Sequence, residues 1–190
     1  MSRFIFASMG VRNDIIREKL SSKLDTSKRV LIIPCAASNE ELTAKAEKEA
    51  FCKLGFDRNK IYAFNITKPN KYFGICFDYI YVPGGNQYKL LSEIREHEID
   101  KKIIMPCLEK GAAYIGISAG AYAATENMHY CLLFEPNDKY PLDDYSALGL
   151  VEFNIICHYN NYGNKIYDQV KERSDRKEVI TIEDDMIFEC

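Results

Sequence analysis

A serine between two glycines carries the clearest chemical signal in this sequence. Gly116, Ser118 and Gly120 form the pattern G-x-S-x-G, after an apolar run and before small residues that favour a helix. This order of strand, turn and helix is typical of a nucleophile elbow, which exposes the serine at a sharp bend. The amide of Ala119 would then point towards the group that Ser118 attacks. Small residues also let a helix pack closely on a strand, so the pattern has a purely structural interpretation as well.

A pair of glycines gives a second candidate for chemistry. Gly84 and Gly85 follow an apolar run and permit the close approach of a ligand. Their amides, just before a predicted helix, could bind the substrate or an oxyanion. Asn86 could hold a carboxylate or amide group of the substrate, or it could cap the helix at the end of a plain turn.

A histidine that follows a buried-type strand could activate the serine. His158 is the one histidine in this position, whereas His97 lies in a charged helix and His129 opens an irregular stretch. A neutral imidazole, with a pKa of about 6.5, can take the proton of a serine hydroxyl. A carboxylate on its other ring nitrogen would fix the tautomer and stabilise the imidazolium. The candidate carboxylates lie after a late strand or in the irregular stretch: Glu183, Asp184, Asp185, Glu135 and Asp138.

The composition argues against several classes of function. The 190 residues carry a net charge of −3, which favours neither a nucleic-acid nor an anionic-membrane partner. No apolar run reaches the roughly 18 residues that cross a bilayer, and the N-terminal segment is interpreted as a first strand rather than a secretory signal. Seven scattered cysteines without a C-x-x-C pair predict reduced, mostly buried thiols in a cytoplasmic protein. The histidines and cysteines lack metal-ligand spacing, so we expect neither a metal nor a cofactor.

Apolar runs of strand length alternate with helical patterns along the whole chain. The predicted strands are Arg3–Ala7, Arg29–Ile33, Ile61–Asn65, Tyr79–Val82, Ala113–Ile117, Val151–Cys157, Val179–Ile182 and Met186–Cys190. The predicted helices cover 13–24, 38–54 (with a capping box of Ser38 and Glu41), 87–98, the residues after Ser118, and 164–171. This alternation predicts a single α/β domain over residues 1–190, a three-layer α/β/α sandwich with a mostly parallel sheet. Active sites of such sheets lie beyond the carboxyl ends of the strands.

Several of these segments together resemble the peptidase E (aspartyl dipeptidase) family of serine exopeptidases. The resemblance rests on P-G-G-N at 83–86, on G-A-A-Y-I-G-I-S-A-G-A at 111–121, and on L-G-L-V-E-F at 148–153 leading to C-H-Y-N at 157–160. It implies the class I glutamine amidotransferase-like fold.

The resemblance also implies roles for individual residues. Ser118 would be the nucleophile and His158 the base, with Gly85 and Ala119 as the amides of an oxyanion hole. The third member of the triad has two proposed positions in the family. Asp184 matches one of them, and the other falls near Glu135, with Glu183 a further alternative in the acidic turn.

The chain departs from the family pattern in three respects. Cys157 precedes the histidine where relatives often carry proline. Relatives usually continue with a further strand or hairpin after the acidic turn, so we expect a trimmed C-terminal edge or a fragment. The family's preference for an N-terminal aspartate needs a cationic pocket, which the sequence does not assign to any of its 25 Lys and Arg residues.

The sequence therefore predicts a serine peptidase that hydrolyses short peptides through an acyl-enzyme, as a monomer or homodimer. Gly84 and Asn86 are the predicted substrate-binding residues, and a preference for N-terminal Asp follows from the resemblance alone. A catalytically silent binding or sensor protein of the same fold is the alternative. A lipase or esterase would show the order Ser, acid, His, and a glutamine amidotransferase would need a cysteine at position 118.

Overall fold

A six-stranded sheet lies at the centre of the computed structural model, which describes residues 3–137, 139–173 and 177–190. Asp138, one of the candidate carboxylates, lies outside the described residues. The strands are β1 (Arg3–Ala7), β2 (Val30–Ile32), β3 (Ile61–Ala63), β4 (Tyr79–Val82), β5 (Ala113–Ile117), β6 (Asn154–Cys157), β7 (Val179–Ile182) and β8 (Ile187–Glu189). The helices are α1 (Asp14–Ser21), α2 (Glu40–Lys53), α3 (Gln87–Glu96), α4 (Met105–Leu108), α5 (Ala119–Ala123) and α6 (Tyr159–Arg173).

Five strands of this sheet run parallel, in the order β3-β2-β4-β5-β1. The sixth strand, β8, pairs antiparallel with β1 at the edge. The strands β6 and β7 form a separate parallel pair, which we call the small sheet. The predicted mostly parallel α/β/α architecture is therefore confirmed.

The core occupies both faces of the large sheet. Along β1, Phe6 packs into one buried cluster, while its neighbours Ile5 and Ala7 pack into another on the opposite face. All three are fully buried. Burial of successive residues is expected for a central strand that helices cover on both sides. Within the described ranges, no helix has the length and apolar character needed to cross a bilayer.

The bounds of most elements agree with the sequence patterns, and the differences have local causes. The predicted capping box is wrong, because Asn39 rather than Ser38 caps α2, and its side chain accepts from the Leu42 amide at 3.0 Å. The last helix begins earlier than predicted, at Tyr159, and its backbone kinks at Gly163 with a φ of 67°. The strand predicted to begin at Val151 begins only at Asn154, as β6. A π-helical turn (Asp100–Ile104) before α4 has no counterpart in the prediction.

A buried serine joins the two sheets at the carboxyl ends of their strands, beside the apolar core that they share. Ser8 follows β1 directly and is 2% exposed. The N–H of His158 donates to its Oγ, and the Ser8 hydroxyl in turn donates to the carbonyl of Ile182, both at 2.8 Å. Ser8 therefore ties the large sheet to the ends of both β6 and β7.

Candidate active site

Ser118 lies at a sharp bend between β5 and α5, as the sequence pattern indicates. Its φ of 47° and ψ of −106° belong to a region that residues with a side chain rarely adopt. The flanking glycines make this bend possible. A Cβ on Gly120 would lie 2.2 Å from the carbonyl oxygen of Val82, and one on Gly116 would lie 2.6 Å from the carbonyl oxygen of Gly120. The G-x-S-x-G pattern is thus required by the close packing of α5 against β4 and β5.

Three side chains form a hydrogen-bonded row at this bend. The Nε2 atom of His158 lies 3.2 Å from the Oγ of Ser118, and its Nδ1 atom lies 2.5 Å from the Oδ1 of Asp184. The other carboxylate oxygen of Asp184 accepts from the side-chain amide of Asn160 at 3.3 Å. An imidazole held in this way by a carboxylate can accept a proton at its other nitrogen.

The small sheet positions the imidazole and the carboxylate together. His158 follows β6 and Asp184 follows β7, and the parallel register sets Cys157 opposite Ile182. His158 itself has a φ of 57°, a second unusual backbone conformation beside that of the serine. Burial raises the pKa of Cys157 to about 12, so its thiol stays protonated in the position where the family often has proline. The histidine nevertheless lies within reach of Ser118.

The other candidate carboxylates are not part of this row. Glu135 accepts from the hydroxyl of Tyr162 at 3.1 Å and makes no hydrogen bond with His158. Glu183 and Asp185 are exposed, and in the described part of the chain neither carboxylate bonds to the imidazole. Of the candidate carboxylates among the described residues, the structure places Asp184 at the imidazole and Glu135 and Glu183 outside the row, and the role of each in catalysis stays a prediction.

The glycine pair lies against the serine. A Cβ on Gly84 would stand 3.4 Å from the Cβ of Ser118. Gly85 has a φ of 146°, and a Cβ there would lie 2.3 Å from the carbonyl oxygen of Ala36. Among the hydrogen bonds of the described residues, none uses the amide of Gly85 or of Ala119 as a donor. Both amides are therefore free to donate to a bound group.

Asn86 caps the helix α3. Its Oδ1 accepts from the amides of Tyr88 and Lys89, at 3.0 and 2.8 Å, and its own N–H donates to Ala36. Asn86 is also absent from the cavity that holds Ser118. The capping role that the sequence offered is confirmed, and substrate binding by Asn86 stays a prediction.

A cavity of about 560 Å³ opens in front of the row and brings in residues that the sequence patterns missed. Besides Ser118 and His158, its lining includes Arg12, from the loop after β1, and Thr43 and Glu47, from α2. Arg12 is the one Lys or Arg that lines this cavity within the described residues, and it is exposed. A signal for Glu47 does exist, because it stands three and four residues before the buried Ala50 and Phe51 and so shares their helix face.

Glu47 is a buried carboxyl group at the wall of this cavity. It is 4% exposed, and its Oε2 accepts from the hydroxyl of Tyr81 at 3.0 Å. Burial raises the pKa of Glu47 to about 7, while the Tyr81 hydrogen bond and the charge of Arg12 act in the opposite direction.

Within the described ranges, no close cluster of three or more potential metal ligands lines this cavity. The close cluster of possible ligands lies on α3 and in the residue after it: Glu93, Glu96 and His97. These side chains do not line the Ser118 cavity. Acidic groups on a helix surface are common without an ion, so the cluster does not indicate a metal centre.

Comparison with known proteins gives the family. The family model "Peptidase family S51" matches residues 5–189. The chain belongs to peptidase family S51. The predicted resemblance to peptidase E is thereby confirmed. As a member of family S51, the chain is a serine-type peptidase.

Individual relatives of this S51 chain are similar in sequence. Over 143 residues it is 36% identical to the uncharacterized peptidase Lmo0363 of Listeria monocytogenes, covering 70% of this chain and 67% of that protein. Over 136 residues it is 32% identical to a Drosophila melanogaster protein named "Probable alpha-aspartyl dipeptidase", covering 70% and 52%. The chain thus spans about two thirds of the first relative and about half of the second.

Solved structures share the S51 fold. The crystal structure of a provisionally assigned peptidase E protein from Listeria monocytogenes EGD-e matches with a TM-score of 0.74 and 26% identity, covering 100% of this chain and 98% of that one. A peptidase from an acI-B1 Actinobacterium matches with a TM-score of 0.71 at 16% identity, covering 100% and 83%. The second likeness concerns the fold alone.

Proposed function

We propose that this S51 chain hydrolyses short peptides through an acyl-enzyme on Ser118 and prefers an N-terminal aspartate. The observation that carries the proposal is the hydrogen-bonded row from Ser118 through His158 to Asp184, which faces a cavity lined by a cation.

Acylation follows from the geometry of this row. The Oγ of Ser118 attacks the carbonyl carbon of the scissile peptide, and its proton passes to the Nε2 of His158. Asp184 keeps the Nδ1 proton in place and stabilises the imidazolium. The amides of Gly85 and Ala119 donate to the oxyanion of the tetrahedral intermediate. The imidazolium then protonates the leaving amine as the C–N bond breaks, which leaves the acyl group on Ser118.

Deacylation repeats the sequence with water. His158 takes a proton from a water molecule as the water oxygen attacks the acyl carbon. The second oxyanion accepts hydrogen bonds from the same two amides. The bond to Ser118 breaks as the proton returns to its Oγ, which releases the N-terminal residue. No step needs a group beyond this chain, the peptide and water.

The preference for aspartate rests on Arg12. A side-chain carboxylate on the first residue of the substrate needs a cation in the cavity, and the Arg12 guanidinium makes no ion pair within the described part of the chain. An arginine can bind a carboxylate through two parallel hydrogen bonds. The name of the Drosophila relative is consistent with this specificity.

A panel of dipeptides tests both parts of the proposal. The purified protein should hydrolyse Asp-Ala well above Asn-Ala and Ala-Ala, and Ser118→Ala should abolish all three activities. Arg12→Gln should remove most of the preference for Asp-Ala over Asn-Ala. The matched control is Arg17→Gln, since Arg17 is paired with Asp14 on α1.

The outcomes separate the two parts. Retained turnover in Ser118→Ala would show that another group is the nucleophile. Equal rates for Asp-Ala and Asn-Ala would remove the aspartate preference and leave the peptidase assignment in place.

A further inference from the structure

Among the described residues, the Glu47 carboxyl group is the one buried carboxyl group that lines the active-site cavity, and the proposed mechanism leaves it unused. It lines the same cavity as Ser118 and His158 and is 4% exposed. Of the hydrogen bonds among described residues, it takes part in a single one, with the hydroxyl of Tyr81. A carboxylate has about four acceptor positions. Glu47 therefore retains unused acceptor capacity at the cavity wall.

The surroundings of Glu47 hold it in place without neutralising it. Tyr81, from β4, is fully buried, and burial keeps its pKa well above the ordinary value, so the phenol stays protonated and donates to Glu47. The hydroxyl oxygen of Tyr81 is occupied by the N–H of Val11, which donates at 3.2 Å. Arg12 is the charged group that faces Glu47 from the loop after β1, and the two do not approach within ion-pair distance.

A fixed, unpaired carboxylate in a cavity is suited to a cationic ligand. Burying such a group without a partner is unfavourable, and an incoming cation offsets that cost. An exopeptidase substrate supplies a cation near the reacting atoms, because the α-ammonium group is two bonds from the scissile carbonyl carbon. An N-terminal aspartate carries this ammonium beside a carboxylate, and the cavity offers Glu47 and Arg12 as the two complementary charges.

We propose that Glu47 binds the free α-amino group of the substrate and so restricts this peptidase to peptides with an unblocked N-terminus. The inference rests on the proposed peptidase function. It assigns Glu47 to recognition, separately from the Ser118 row that carries out the chemistry.

The proposal has a consequence for pH dependence. A bound ammonium favours the ionised form of Glu47, so binding lowers the pKa of this carboxyl group. Free peptides should therefore bind more tightly as the pH rises from 6 to 7, because Glu47 ionises in the unliganded protein over this range while the peptide keeps its ammonium charge. The α-amino group of the peptide itself loses its proton only near pH 8.

Binding to an inactive variant tests the proposal without turnover. Calorimetric titration of Ser118→Ala with Asp-Ala and with N-acetyl-Asp-Ala should show about 10- to 100-fold weaker binding of the acetylated peptide, the range expected for one charge-assisted hydrogen bond. In Ser118→Ala/Glu47→Gln, the two peptides should bind equally. Glutamine can still accept from Tyr81, so the wall of the cavity is retained.

A control and a second measurement keep the test independent of folding. Glu49 lies on the same helix and pairs with Arg58, so Ser118→Ala/Glu49→Gln should discriminate like its parent. In the parent Ser118→Ala protein, the preference for the free peptide over the acetylated one should also grow between pH 6 and 7. This pH series needs no change at position 47.

Several results would overturn the proposal. One is equal binding of free and acetylated peptides by the parent, and another is full discrimination in the Glu47→Gln protein. If the Glu47→Gln protein lost binding only of peptides whose first residue is Lys or Arg, Glu47 would instead bind a basic side chain of the substrate. If the wild-type protein bound free peptides selectively but hydrolysed none, the proposed function would fail while the binding role of Glu47 stood.

Discussion

The large sheet and the small sheet contribute different halves of the candidate active site. Ser118 follows β5 and the glycine pair follows β4 of the large sheet. Around them the backbone packs so closely at Gly85 and Gly120 that a side chain there would clash with a neighbouring carbonyl group. His158 and Asp184 follow β6 and β7 of the small sheet and are held by hydrogen bonds. The nucleophile is thus fixed by steric exclusion, whereas the base and its carboxylate depend on a few polar contacts. Changes in the two halves should therefore have different signatures.

The largest effect should come from breaking the row where the two halves meet. Ser118→Ala should lower kcat on Asp-Ala by about 10⁴- to 10⁶-fold, and Ser118→Ala/His158→Gln should be no slower, because the two groups act as one unit. Turnover assays with circular dichroism as a folding control would measure this. If the loss of kcat in the double variant, relative to the wild-type protein, equalled the product of the two single losses, the two residues would act independently.

A smaller effect is expected within the small sheet. Asp184→Asn should lower kcat by about 10²- to 10⁴-fold, because an amide can donate to Nδ1 and stabilise the wrong tautomer of His158. Glu183→Gln is the matched control, since Glu183 is the exposed neighbour outside the row. Comparable losses in the two variants would contradict the assignment of Asp184.

The link between the sheets should matter less for rate and more for stability. Ser8→Ala leaves the N–H of His158 and the carbonyl of Ile182 without their shared partner, which should cost about 1–3 kcal/mol of unfolding free energy. A small displacement of the imidazole should also lower kcat about tenfold. Urea denaturation would test the first effect, with the exposed Ser22→Ala as control. An unchanged midpoint would show that the Ser8 hydrogen bonds add no stability beyond the apolar packing that also joins the two sheets.

The smallest effect is a gain in stability expected when Glu47, in the wall of the cavity, is replaced by glutamine. The pKa of Glu47 is raised from 4.5 in the unfolded chain to about 7, so the folded state binds the proton more tightly than the unfolded state. The resulting loss of stability begins as the pH rises above 4.5 and is complete above about 7. Glu47→Gln removes this penalty, so it should raise the unfolding free energy by about 1–2 kcal/mol at pH 8 and by little at pH 4. Denaturation at both pH values would detect it, and a gain of equal size at both would show that ionisation of Glu47 is not its cause.

Sequence patterns predicted the parts of the fold that depend on local order. The bounds of β1, β4, β5 and β7 agree with their apolar runs, and Ser118 and His158 follow from their positions after strands. Asn86 was open between two interpretations, because one residue after a glycine pair can cap a helix or face a ligand. The hydrogen bonds of the folded chain confirm the cap, and substrate binding by Asn86 stays a prediction.

The rest of the site depends on contacts between distant segments. The resemblance favours Asp184, but the residues alone do not favour it over Glu135. The choice depends on β7 pairing beside β6, and that register is not encoded in the acidic turn itself. Arg12 and Glu47 lie on different elements and come together only when α2 packs near the loop after β1. Ser8, a lone polar residue after a strand, gave no signal of the two hydrogen bonds it makes.

The backbone contact at Gly120 has a practical consequence for protein engineering. Because α5 touches the carbonyl of Val82 with no space for even a methyl group, any substitution at Gly120 should displace the elbow. Arg12 and Thr43 line the cavity from other segments, so exchanges there do not meet that clash. Libraries intended to retarget the enzyme to new peptides should therefore diversify those two positions and leave the glycines untouched.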